Sequence, residues 1–280
     1  MPLIHRPGKP TLHYFVDDFT DPWKKKPVMI LQHGFGRSPN LWYRWVPLLS
    51  SHFRVVRPSL RGLGDSPVDF DTNTGYTPEA LLADILDVVN EVSPGVPVHY
   101  CGESIGGIVG IMLAAAAPER LRTLSLVSTP LTIPKHTQEV FAVGYPTWQE
   151  GMRALGSEKW TAATNGTTRF PPGTEQGLLD WYSADMGRSN VESLVGLSLM
   201  AKNVNVTEQA GKIRTPTLGL YPGNGTITRF DEEMVRKTVP GIRMVNLPTE
   251  FHSIQFFMAK QCAREVLYFA SQHDGVAVDA

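Results

Sequence analysis

Apolar and polar positions alternate along this chain in two distinct rhythms. Residues 27–34 and 53–58 are short apolar runs that end in glycine or proline, the pattern of buried strands feeding loops. Residues 78–92 instead place Leu81, Leu82, Ile85, Leu86, Val88 and Val89 at helical spacing. Thr77 stands at the N-cap of that stretch, with Pro78 in its first turn. Residues 96–101 return to a strand, 105–117 read as a helix of small and apolar residues stopped by Pro118, and 121–127 read as a strand. The alternation predicts a parallel sheet wrapped by helices. It lapses between about residues 134 and 211, where helices are expected at 147–155, 174–186 and 190–202. It resumes with a strand at 215–221, a helix at 230–239, a strand at 242–247 and a closing helix at 258–272. The division expected is a core of residues 1–133 and 212–280 with a helical cap at 134–211. The tail from His273 is expected to be loose.

Composition narrows what such a chain does. Its 280 residues carry 26 Lys plus Arg against 27 Asp plus Glu, a net charge of −1. That balance removes the electrostatic case for nucleic-acid or anionic-membrane binding. A length of this order buries a large core without staples. Two cysteines, Cys101 and Cys262, make neither a disulfide framework nor a zinc site and are expected to be buried thiols. No stretch approaches a membrane span and residues 1–10 carry no apolar signal core, so the expected location is cytoplasmic.

The chemistry concentrates at Gly102-Glu103-Ser104-Ile105-Gly106, where a strand hands over to a helix. A serine in so tight a turn needs near-absent side chains two residues to either side, and stands proud of the sheet at a helix N-terminus. His33-Gly34-Phe35-Gly36 follows the first strong strand. Acyl transfer needs two backbone N–H donors aimed at the developing oxyanion. Ile105, directly after the serine, and Phe35 are the candidates. Serine also needs a positioned base. His252 follows the last strand and precedes the last helix, and no other histidine is as well placed.

These motifs, with Arg61-Gly62-Leu63-Gly64-Asp65-Ser66 between them, fall in one order over residues 27–272 and resemble the α/β-hydrolase superfamily. The stretch from Ala114 to Leu121 is similar to enol-lactonase-like members. The resemblance implies an α/β fold with a mostly parallel eight-stranded sheet flanked by helices, and a helical cap inserted after the sixth strand. It implies a serine hydrolase that cleaves an ester, lactone or similarly activated carbonyl through an acyl-enzyme on Ser104. Ser104 also excludes the dehalogenase and epoxide-hydrolase chemistries of this fold, which need aspartate there.

One position departs from the pattern. The triad acid of the family corresponds to Gly225, and the alternative site after the sixth strand reads Ser128-Thr129-Pro130. Asn224, Glu250 and Asp231 are the remaining candidates to orient His252, with an unassisted serine–histidine dyad as the other option. Aromatic residues crowd the cap, and Trp42, Trp181 and Met186 are candidate pocket residues for an apolar or aromatic substrate. Arg37 and Arg188 are candidates to meet a substrate carboxylate. No cofactor or metal is implied. The expected partner is a small-molecule substrate, with a homodimer left open. Two other readings remain: cleavage of an amide or carbon–carbon bond or a non-hydrolytic reaction, and a scaffold that binds a small molecule without turnover.

Overall fold

The computed structural model describes residues 2–223 and 226–274. Its sheet has eight strands: β1 (Leu3–Arg6), β2 (Lys9–Asp17), β3 (Val28–Gln32), β4 (Arg54–Pro58), β5 (Val98–Glu103), β6 (Leu121–Val127), β7 (Thr217–Pro222) and β8 (Arg243–Leu247). They lie in the order β1-β2-β4-β3-β5-β6-β7-β8. β1 and β2 pair antiparallel at one edge, β2 pairs antiparallel with β4, and every later pair is parallel. The central strands β3, β5 and β7 are buried along their whole length, as a sheet covered on both faces requires.

The helices are α1 (Val46–Leu49), α2 (Pro78–Val92), α3 (Ile105–Ala116), α4 (Lys135–Ala142), α5 (Trp148–Thr164), α6 (Gln176–Gly187), α7 (Val191–Ala201), α8 (Thr207–Gly211), α9 (Thr226–Thr238), α10 (Ile254–Phe257) and α11 (Ala259–Asp274). α2 starts where its cap predicts: the Thr77 hydroxyl accepts from the Ala80 N–H at 3.1 Å. The helix expected at 147–155 continues instead to Thr164 across a break at Gly156, whose φ of 72° is open to glycine. α4 to α8 occupy the span between β6 and β7, where strand alternation lapses in the sequence. The closing helix includes His273 and ends at Asp274, and the rest of the tail expected to be loose, residues 275–280, lies outside the described residues. Asp274 sits 3.0 Å from His99 Nε2 on β5 and also pairs with Arg122, so the helix end is tied to the sheet.

The Gly-rich turn at residues 61–66 is anchored by charge. Asp84 on α2 lies 2.7 Å from Arg61 Nε and 2.6 Å from Arg6 Nη1, all three side chains being buried. Arg61 also donates to the Gly75 carbonyl at 2.7 Å. One carboxylate thus joins the N-terminal hairpin, this turn and α2. Removing a buried partner leaves the opposite charge uncompensated, which costs roughly 3–5 kcal/mol. Asp84→Ala is expected to lower unfolding stability by about that amount, measured by urea denaturation; a loss below about 1 kcal/mol would show that the pair does not anchor the turn.

Candidate active site

The serine turn is strained as the motif requires. Ser104 has φ 52° and ψ −117°, an unusual backbone conformation for a side-chain-bearing residue. Glycines make the turn possible by close approach. A Cβ on Gly102 would lie 2.3 Å from the Gly106 carbonyl oxygen, and one on Gly106 would lie 2.4 Å from the Gln32 oxygen. A Cβ on Gly34 would meet the Glu103 carboxylate at 2.4 Å and Ser104 Cβ at 3.0 Å, so the loop after β3 packs directly on the serine turn.

His33 braces that loop. The Leu60 N–H donates to His33 Nε2 at 3.0 Å, which places the ring proton on Nδ1, 2.9 Å from the Gly34 carbonyl. Burial pushes this histidine down to about 4, so it is neutral at physiological pH. Phe35 packs its ring against Trp148 and Trp160, at centroid distances of 4.8 and 5.9 Å, and so joins the loop to α5. The N–H groups of Phe35 and Ile105 have no acceptor among the described residues.

Ser104 and His252 line one cavity, of about 70 Å³. His252 reaches it from the loop between β8 and α10, where its carbonyl accepts from the Ser128 hydroxyl at 2.9 Å. The next residue, Ser253, donates its N–H to the Arg169 carbonyl at 3.0 Å. No hydrogen bond joins the Ser104 hydroxyl to the imidazole among the described residues. The cavity wall is mostly apolar, with Ile133, Val140 and Phe141 contributing, but it also holds Arg169 and Asp231.

Of the expected orienters of His252, Asn224 lies outside the described residues. Glu250 is exposed and makes no hydrogen bond or ion pair with His252. Asp231 lines the cavity, yet makes no ion pair with His252. The carboxylate that does approach is Glu103, the variable residue of the serine motif itself. Its Oε1 is 3.3 Å from His252 Nε2 and its Oε2 is 3.2 Å from Arg37 Nε, without hydrogen-bond alignment at either oxygen. Glu103 is fully buried. Burial alone would raise its pKa, but Arg37 and His252 hold the carboxyl below its ordinary value. The sequence carried one signal of it: a carboxylate at the end of an otherwise buried strand needs partners.

The pocket expectations need correction. Trp42 is buried away from the cavity, against Trp45 at 4.8 Å. Met186 packs over Gly36, and Trp181 lies in an outer groove beside Tyr43. The aromatic residues there chiefly join helices to one another, whereas Phe141 does face the cavity. Arg188 pairs with Asp65 on the surface and Arg37 with Glu103, so neither is spare for a ligand. Both cysteines are buried free thiols, and burial pushes Cys262 up to about 12. Among the described residues, no helix is long and apolar enough to cross a membrane, and no cluster of three or more His, Cys, Asp or Glu could hold a metal.

Asp231 has a consequence for pH. Burial pushes it up to about 7 from an ordinary 3.8. The folded chain therefore binds a proton that the unfolded chain has lost between these values, and stability falls as pH rises through that window. Asp231→Asn is expected to gain roughly 2 kcal/mol over the wild type between about pH 5 and about pH 8, read by denaturant unfolding at each pH. A difference that does not change with pH would contradict the burial of this carboxylate.

Comparison with known proteins places the chain. It matches the family model described as alpha/beta hydrolase fold over residues 27–276. A hydrolase from Pseudomonas aeruginosa is 26% identical and superposes with a TM-score of 0.80, covering 96% of this chain and 97% of that one. An enol-lactonase from Burkholderia xenovorans superposes with a TM-score of 0.81 at 23% identity, covering 96% and 100% of the two chains. Among curated proteins, the probable oxidoreductase EphD of Mycobacterium tuberculosis is 37% identical over 106 residues, which are 37% of this chain and only 18% of that protein's length. The putative carbamate hydrolase RutD of Klebsiella pneumoniae is 22% identical over 246 residues, 83% of this chain and 86% of that one. With the family model spanning most of its length and the strand order described above, the chain belongs to the α/β-hydrolase fold family.

Proposed function

We propose that this chain is a serine hydrolase acting on a small ester, lactone or similarly activated carbonyl. The observation that carries the reading is the strained backbone of Ser104, whose residue opens on the cavity that His252 also lines. The named relatives support it in kind, among them a putative carbamate hydrolase and, from Aeromonas hydrophila, a pimeloyl-[acyl-carrier protein] methyl ester esterase 33% identical over 103 residues.

In this reading the Ser104 hydroxyl attacks the carbonyl carbon and His252 takes its proton. The N–H groups of Phe35 and Ile105, without acceptors among the described residues, receive the oxyanion. Collapse of the tetrahedral intermediate expels the alkoxide, which takes the proton from His252. Water, deprotonated by the same imidazole, then releases the acid. The Glu103 carboxylate, kept ionised by Arg37, offsets the positive charge that forms on His252. It supplies from inside the serine motif the charge that the loop after β7 lacks. A Ser104 hydroxyl without a hydrogen bond to the imidazole among the described residues fits a resting site whose hydrogen bond forms when substrate enters. The same unmade hydrogen bond favours the second reading, a scaffold that binds without turnover.

Turnover of p-nitrophenyl butyrate and of small lactones decides between them. Ser104→Ala and His252→Ala are each expected to lower kcat by about 10³-fold or more. Glu103→Gln is expected to lower kcat by roughly 10²-fold with KM within about twofold, in protein shown to be folded by circular dichroism. Wild-type protein that turns over none of these substrates, yet is thermally stabilised by them, would overturn the hydrolase reading in favour of binding.

A further inference from the structure

Arg169 sits in the cavity wall with Ser104 and His252 and is only 4% exposed. Aromatic rings enclose its guanidinium: Cζ lies 5.3 Å from the ring centres of Phe141 and Trp160 and 5.9 Å from that of Tyr182. Nη1 donates to the Thr164 hydroxyl at 2.5 Å, its one side-chain hydrogen bond among the described residues. Its carbonyl receives the Ser253 N–H, which locks its backbone to the loop that carries His252.

Among the described residues, the most deeply buried charges beside the cavity do not balance. Arg37 and Arg169 are two cations, and Glu103, ionised and engaged by Arg37, is one anion. Asp231 shares the cavity but makes no ion pair with Arg169 among the described residues, and its own charge is suppressed by burial. Burial also lowers the pKa of Arg169, more than Tyr182 and the Glu103 carboxylate offset it, and Glu103 makes its ion pairs with Arg37 and His252 instead. Such a charge is costly unless something completes it. Arg37 keeps Nε and Nη1 sealed without hydrogen-bond partners, whereas no Arg169 nitrogen is both sealed and unpaired. A guanidinium offers five N–H donors in a planar fork that matches a carboxylate.

We propose that Arg169 is a specificity-determining residue that binds a second, ionised carboxylate on the substrate, while Ser104 takes the carbonyl at the other end. The preferred substrates are then half-esters of short dicarboxylic acids. The assignment of the reacting end rests on the serine-hydrolase reading above; the carboxylate site does not.

Two experiments separate the claims. The first uses the monomethyl esters of malonic, succinic, glutaric and adipic acids, each against the uncharged methyl ester of the same chain length. The wild type is expected to prefer at least one charged ester by about tenfold or more in kcat/KM, and Arg169→Met to bring that ratio to one or below. Arg169→Lys, which keeps the charge and loses the fork, is expected to retain part of the preference and to report if the methionine variant does not fold. Equal losses on charged and uncharged esters would overturn the proposal, because they mark a role in the reaction or the fold rather than in recognition. The second experiment measures binding of glutarate and of its uncharged diamide to the Ser104→Ala protein by calorimetry. Glutarate is expected to bind at least tenfold more tightly than the diamide, and Arg169→Met in that background to abolish the difference. Equal binding of the two compounds would overturn the carboxylate site even if Ser104 hydrolyses esters. Selective glutarate binding in a protein that hydrolyses nothing would instead uphold the site and overturn the serine chemistry.

Discussion

The site depends on one backbone constraint: a serine held at positive φ between a buried strand and a helix. That conformation is costly in isolation and persists only where the surroundings over-determine it. Here they do so by contact. Gly102 and Gly106 leave no room for a Cβ, and Gly34 brings the loop after β3 against the turn. The same closeness that forces glycine at these places sets the Phe35 N–H loop beside Ser104. Strain, loop position and the opening of the cavity are thus one packing solution.

Charge makes a second layer on that scaffold. Glu103 follows the buried strand β5 inward and ends between Arg37 and His252. Its ionisation is set by Arg37 against the cost of burial. His33, by contrast, is kept neutral by burial and used only as a brace. Asp231 and Arg169 occupy the cavity wall without pairing with each other. The cavity is thus mostly apolar, with two ionisable groups in its wall that do not neutralise each other.

Much of this was legible in the chain, and the reason differs from element to element. β3 and α2 are read readily because their apolar residues run nearly unbroken or fall at helical spacing, and β5 and β6 because short, largely apolar stretches flank the helix that Pro118 stops. β1 and β2 are not, since an edge hairpin with alternating partial exposure makes a weak pattern. The serine turn is legible because its strained backbone requires glycine at fixed places, and His252 because it stands between the last strand and the last helices. Glu103 is hidden because it stands at the motif's variable position, where only tertiary packing decides which way a side chain points. Arg169 is hidden for a related reason: it lies in the middle of the Gly-, Thr- and Pro-rich stretch 164–173, and its burial comes from Phe141, Trp160 and Tyr182, which are distant or weakly patterned in sequence. Trp42 and Met186 mislead because proximity in sequence to the loop after β3, or a place among the helices between β6 and β7, is not the same as facing the cavity.

The most direct measurement is covalent labelling with an alkyl fluorophosphonate followed by peptide mapping. A serine activated by the strained turn and a neighbouring imidazole is expected to carry the label at Ser104 alone, with labelling lost in Ser104→Ala and strongly slowed in His252→Ala. An unlabelled Ser104 in folded protein, or a label at the same rate without His252, would contradict the account.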